Sequence, residues 1–131
     1  MRLLLDTHVL LWWLSDNRKL VKNGRDIIAN PDNDILVSSA SVWEISIKAA
    51  LGRLDIQLDD LDEAIVRNGF RPLPIGFRHA LTVGRLPNIH RDPFDRMLVA
   101  QASVEELRLL THDRVFERYG LKDKGLPPII V

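Results

Sequence analysis

The sequence contains no cysteine, and that absence removes several kinds of chemistry at once. There can be no disulfide, no thiolate metal centre of the zinc-ribbon kind and no cysteine nucleophile. The lack suits a reducing cytoplasm, which is the compartment expected here. Net charge is also absent, because 18 basic residues offset 18 acidic ones. No global field therefore draws the protein to nucleic acid or to an anionic membrane, and a polyanion has to be held by local groups. Long apolar runs are missing as well. Arg2 precedes three leucines, but Asp6 interrupts them, and the run over 9–14 is too short for a signal core or a membrane span. A soluble intracellular protein with no membrane partner is expected. There is no internal repeat, linker or low-complexity stretch.

What is present is 131 residues, 46% of them hydrophobic. That is enough for one domain over 1–131, burying roughly two-thirds of the surface its unfolded chain exposes. The apolar pattern alternates between short runs and helical spacing. "RLLL" (2–5) reads as a strand and "THVLLWWLS" (7–15) as a helix. "NRKLVKNGRDIIAN" (17–30) reads as a second helix stopped by Asn30-Pro31, then "ILVS" (35–38) as a strand and "ASVWEISIKAALGR" (40–53) as a helix with Gly52 at its end. "LDDLDEAIVRNG" (58–69) is helical, and "FRPLPI" (70–75) is extended but carries two prolines, as an edge strand can. A short helix over 76–86, a loop over 87–91, a long helix from Pro93 to about Leu107, a strand "RLLT" (108–111), a helical turn over 113–120 and a last strand "PPIIV" (127–131) complete the chain. Short apolar strands separated by helices predict a three-layer α/β/α sandwich around a mostly parallel sheet of four to five strands. In such sheets a ligand binds outside the carboxyl ends of the strands.

Four acids fall near that rim, and each has an ordinary explanation beside a functional one. Asp6 ends the first strand, where it can cap the next helix. Ser41 and Glu44 match a capping box, and Glu44 can pair with Lys48 one turn later, yet its neighbours Trp43 and Ile45 put the carboxylate in an apolar setting. In "HRDPFDRMLVAQA" (90–102) Asp92 precedes a proline suited to the first helical position, so Asp92 is the natural N-cap. Asp95 lies three residues before Leu98 on the face that turns to the core, so its carboxylate is aimed inward. Asp113, after Thr111, can again be a cap.

The joint pattern says more than any single site. A cap is served equally by Ser, Thr or Asn, whereas Asp6, Asp95 and Asp113 are all carboxylates at the expected rim, and Glu44 lies on a helix that rises from it. Like charges 4 to 8 Å apart cost on the order of 1 to 4 kcal/mol per pair, so something must neutralise them. Arg96 or Lys48 can supply part of the charge, but an all-oxygen set describes the preference of Mg²⁺ or Mn²⁺. The expected chemistry is hydrolysis of a phosphodiester by metal-activated water.

The segments "LLLDTHVLLW", "SSASVWEISIK", "RDPFDRMLVAQA" and "LLTHDRVF", in that order, resemble the PIN-domain ribonucleases, in particular the VapC-type toxins of prokaryotic toxin–antitoxin pairs. The resemblance covers essentially the whole chain. It implies a sheet between helices, a Mg²⁺ or Mn²⁺ site made by Asp6, Glu44, Asp95 and Asp113, and endonucleolytic cleavage of RNA. It also implies a homodimer and a cognate antitoxin that inserts a basic side chain into the acidic crevice. Thr111 looks like the family's hydroxyl residue, in a supporting role, and Asp92 competes with Asp95 as the third acid.

Arg18, Lys19, Lys22 and Arg25 cluster near the second helix, and Arg91 and Arg96 bracket the acids; each is either a phosphate contact or a solvated surface charge. The four histidines show no metal-ligand spacing, and His112 reads as a loop residue. Trp12 and Trp13 read as core or dimer interface. Three rival functions remain. An aspartate-nucleophile phosphatase expects a second Asp two residues after the first, where this chain has His8. A non-catalytic Mg²⁺-binding module like a response-regulator receiver expects paired acids after the first strand, where this chain has one. The third is a free-standing RNA-processing nuclease.

Overall fold

A computed structural model describes residues 1–131. Five strands, β1 (Arg2–Leu5), β2 (Asp34–Ser38), β3 (Arg71–Leu73), β4 (Arg108–Thr111) and β5 (Ile129–Ile130), form one sheet. Their order is β3-β2-β1-β4-β5 and every pairing is parallel. The helices between them are α1 (Thr7–Leu14), α2 (Lys22–Ala29), α3 (Ser39–Ala50), α4 (Leu61–Arg67), α5 (Phe77–Val83) and α6 (Pro93–Glu105), with short 3-10 segments at Leu58–Asp60, Arg114–Tyr119 and Leu121–Lys124. None of these helices is long and apolar enough to cross a membrane.

The strands are uniformly apolar because both faces of the sheet are covered. Leu3, Leu5, Ile35, Val37 and Leu110 point to one face, where they pack with Val9, Leu10, Ile28, Ile45 and Ile65. The residues between them, Leu4, Leu36 and Leu109, point to the other face against Leu98, Val99, Ala102 and Phe116. The period of two along each strand thus feeds two cores, giving the three-layer sandwich. β3 takes the edge, and there Pro72 pairs beside Val37 without a ladder hydrogen bond being required of its missing N–H.

Several helices are shorter than the apolar pattern predicts, the one expected over 76–86 covering only Phe77–Val83. The helix expected over 17–30 begins only at Lys22. Asn17 is the reason: its side chain accepts the Lys19 N–H at 2.9 Å, its carbonyl accepts the Leu20 N–H at 3.1 Å, and local bonds of this kind compete with a helix. The helix expected over 58–69 divides into a 3-10 turn and α4.

The strand order places a reversal between β1 and β4. From β1 the chain moves outward to β2 and β3, then returns to the other side of β1 as β4. The carboxyl ends of β1 and β4 therefore flank the crevice where ligands of such sheets bind.

Candidate functional site

Asp6 follows β1 directly and its backbone N–H donates to the Leu110 carbonyl at 3.0 Å, which extends the β1–β4 pairing past the formal strand end. Although it stands at the N-cap of α1, its side chain makes no capping hydrogen bond. It accepts the buried Thr111 hydroxyl instead, at 2.6 Å on Oδ2. Thr111 Oγ1 in turn accepts the Asp113 N–H at 3.0 Å. Asp113 does cap, taking the Val115 N–H on Oδ1 at 2.9 Å at the start of the 3-10 segment. One short hydroxyl relay thus joins the ends of the two central strands. Thr7 adds a second link, donating to Ser41 Oγ at 2.9 Å in a buried bond that ties α1 to α3.

Glu44 lies in the middle of α3. The N-cap of that helix is Ser38, whose Oγ accepts the Ala40 N–H, so the Ser41–Glu44 capping box does not form. Glu44 is only 4% exposed. Its Oε2 pairs with Lys48 Nζ at 3.0 Å, while its Oε1 is buried with no hydrogen-bond partner. A buried carboxylate oxygen left bare costs about 1–3 kcal/mol unless a ligand meets it.

α6 starts as its sequence dictates. Asp92 is the N-cap and accepts the N–H groups of Phe94 at 2.9 Å and Asp95 at 3.3 Å, with Pro93 in the first turn. That leaves Asp95 turned inward, with its side chain 16% exposed and Oδ2 2.9 Å from His90 Nε2. His90 Nδ1 accepts the Asp92 N–H at 3.2 Å, so in its neutral form the proton lies on Nε2, facing Asp95.

The electrostatics link the acids to one another through Asp95. Burial pushes the Asp95 pKa up to about 8, helped by the negative charges of Asp6, Asp92, Glu44 and Asp113. Asp6 is also raised by burial, against the opposing pull of the Thr111 hydroxyl and the nearby His8 and His112. Asp6 at the end of β1, Glu44 of α3 and Asp113 after β4 therefore each act on Asp95 of α6. All-oxygen donors, surplus negative charge and one orphaned buried oxygen fit a hard divalent cation.

The charges of Asp6, Glu44 and Asp113 thus bear on Asp95, and Thr111 is bonded to Asp6. Asp92 stays at the helix cap. Arg96 does not enter the crevice: its guanidinium donates to the carbonyls of Pro87 and Val83, both at 3.0 Å, and holds the connection between α5 and α6. The cluster at 18–25 is partly spent too, since Lys22 pairs with Asp26 and Arg25 binds Asp16 and the carbonyls of Asn17 and Leu20. Trp13 packs near Phe70 and donates to Asn68, whereas Trp12 lies against His112. His112 lies in the loop after β4, as expected, but the histidines do more than their spacing indicated. His8 and His112 offer ring nitrogens that lie with an Asp6 oxygen within 4.8 Å of one another, and His90 touches Asp95. Their sequence separation gave no metal spacing; only the adjacency of β1 and β4 brings residues 8 and 112 together. The one local signal was that each stands within two residues of a rim acid.

A family profile described as PIN domain matches residues 3–122. A comparison with curated proteins gives no significant match. Among solved structures, VapBC2 from Rickettsia felis bound to a DNA fragment from their promoter has a TM-score of 0.64 and 16% identity, covering 99% of this chain and 96% of that one. FitAB bound to an IR36 DNA fragment has a TM-score of 0.65 and 19% identity, covering 98% and 93%. A domain of a functionally unknown protein from Methanocaldococcus jannaschii has a TM-score of 0.58 and 18% identity, covering 99% and 90%. At these identities the likeness is one of fold.

Proposed function

The chain belongs to the PIN-domain family, and from that premise we propose that it is a Mg²⁺- or Mn²⁺-dependent endoribonuclease, the toxin of a toxin–antitoxin pair, working as a single domain over 1–131. The observation that carries this reading is Glu44 Oε1, buried without a hydrogen-bond partner, together with Asp95, whose carboxyl is raised to about 8 by burial first and by the charges of Asp6, Asp92, Glu44 and Asp113 next. In this reading Asp6, Glu44, Asp95 and Asp113 hold the ion. When bound, it supplies Lewis acidity toward a phosphodiester oxygen and lowers the pKa of a neighbouring water. The chain does the positioning. Thr111 fixes the Asp6 carboxylate through its 2.6 Å bond. Asp92 starts α6 so that Asp95 faces the crevice, and Lys48 limits the charge on Glu44.

The receiver-like alternative is weaker, because sheets of that kind run in the order 2-1-3-4-5 and this one runs β3-β2-β1-β4-β5. The toxin role and the antitoxin partner draw on the resemblance to VapC-type toxins and on the fold shared with VapBC2 and FitAB. An antitoxin side chain carrying a positive charge would find its counter-charge in the crevice. A homodimer belongs to the same reading, and α5 offers apolar surface for it in Phe77 and Leu81, 92% and 69% exposed.

The test uses purified protein, RNA and Mg²⁺. Asp6→Asn and Asp95→Asn abolish cleavage while circular dichroism stays that of the parent; cleavage at the parent rate by both variants overturns the reading. The same preparation sediments at twice 15.0 kDa, and a monomer removes the dimer from it. A small reading frame just upstream that encodes a DNA-binding fold separates a toxin from a free-standing RNA-processing nuclease.

A further inference from the structure

We propose that Asp6, His8 and His112 form a second metal site, of mixed nitrogen and oxygen donors suited to zinc-class ions, which shares Asp6 with the carboxylate crevice. His8 lies in the first turn of α1, two residues past Asp6, and His112 follows Thr111 at the end of β4. One ligand atom from each of the three residues lies within 4.8 Å of the other two. His112 Nδ1 stands 3.8 Å from Asp6 Oδ2. That is too long for a hydrogen bond and near the spacing of about 3.4 Å between two ligands of a tetrahedral ion with bonds of roughly 2.0–2.1 Å. Both rings are exposed.

The surroundings hold the donors in place. Trp12, one helical turn after His8, packs its indole against His112 with ring centroids 4.6 Å apart and lies 6.1 Å from His8. The two imidazoles meet edge to face at 5.2 Å. The Thr111 hydroxyl on Asp6 Oδ2 is the kind of outer partner that orients a ligating carboxylate. Three protein ligands leave a fourth position open toward solvent.

The donor set decides which ion. Imidazole suits Zn²⁺, Cu²⁺, Ni²⁺ and Co²⁺, whereas Mg²⁺ prefers oxygen alone and demands octahedral geometry. The two sites therefore select different ions, yet one carboxylate serves both. Zinc at Asp6, His8 and His112 withdraws Asp6 from the crevice, and zinc in trace amounts inhibits a protein that works with Mg²⁺. This consequence rests on the nuclease reading; the site itself does not.

Co²⁺ is the probe, because a four-coordinate site with nitrogen donors gives a strong d–d absorption that oxygen-bound octahedral Co²⁺ lacks. Titration of the full chain gives that absorption, Zn²⁺ in equal amount removes it, and excess Mg²⁺ does so only weakly. His8→Ala and His112→Ala each weaken Co²⁺ binding by at least about tenfold, and Asp6→Asn does the same. A weak octahedral spectrum that these variants leave unchanged overturns the proposal. In RNA cleavage with Mg²⁺ present, micromolar Zn²⁺ inhibits the parent, and His8→Ala and His112→Ala, each compared with its own rate without zinc, lose that sensitivity; equal sensitivity in all three contradicts the shared carboxylate. If no protein cleaves RNA, the nuclease reading fails, and the absorption titration still decides the site.

Discussion

Asp95 concentrates the physics of this protein in one side chain. Its folded pKa of about 8 lies above the ordinary value of 3.8. A carboxyl group with a raised pKa binds more protons in the folded state than in the unfolded one, so it lowers stability as pH rises. The loss begins near the ordinary value, grows toward pH 8 and then levels off. Metal-free protein should accordingly weaken in urea melts between about pH 5 and pH 8, whereas Asp95→Asn should weaken less over that range and be at least as stable as the parent at the upper end. Melts in chelator that show a parent independent of pH, or an Asp95→Asn protein weaker than the parent at pH 8, would contradict the crowding. His90 is the counterweight. Its Nε2, 2.9 Å away, can donate to the carboxylate, so removing it should extend the loss of stability to higher pH.

Helix α6 shows how one element assigns different work to adjacent charges. Asp92 satisfies backbone N–H groups at the helix start, and Asp95, three residues later, is turned to the crevice. Asp92→Ala removes the cap and should cost about 1 kcal/mol, opposite in sign to the effect of Asp95→Asn at pH 8. Denaturant midpoints that moved together in both variants would contradict this division of labour. The division was legible in the sequence, because proline after Asp92 fixes where the helix begins and the spacing from Asp95 to Leu98 fixes which way it faces. Arg96 was not legible. It follows Asp95 directly in sequence, but its guanidinium reaches back to the carbonyls of Val83 and Pro87, and nothing in a local pattern records where a loop nine to thirteen residues away will pass. The second helix failed similarly: apolar spacing promised a start near residue 17, and side-chain bonds from Asn17 to the backbone delayed it to Lys22.

At the scale of the whole molecule, strand composition carried the architecture. Runs such as 3–5 and 109–110 are apolar at every position because two cores share them, and that burial on both faces is what parallel sheets require. The strand order then does what no single segment can. It sets β1 beside β4, so Asp6 meets Thr111 across 105 positions of sequence and His8 meets His112. The carboxylates were findable because their types and rim positions repeat. The histidines were not, since their closeness depends on topology alone.

That four distant carboxylates are gathered to hold one hard cation is the claim on which the functional account depends. Diffraction from crystals grown with Mn²⁺, recorded at the manganese absorption edge, tests it most directly. The account predicts an anomalous peak within bonding distance of oxygens from Asp6, Glu44, Asp95 and Asp113. No peak in the crevice, or manganese bound only elsewhere on the surface, would contradict it.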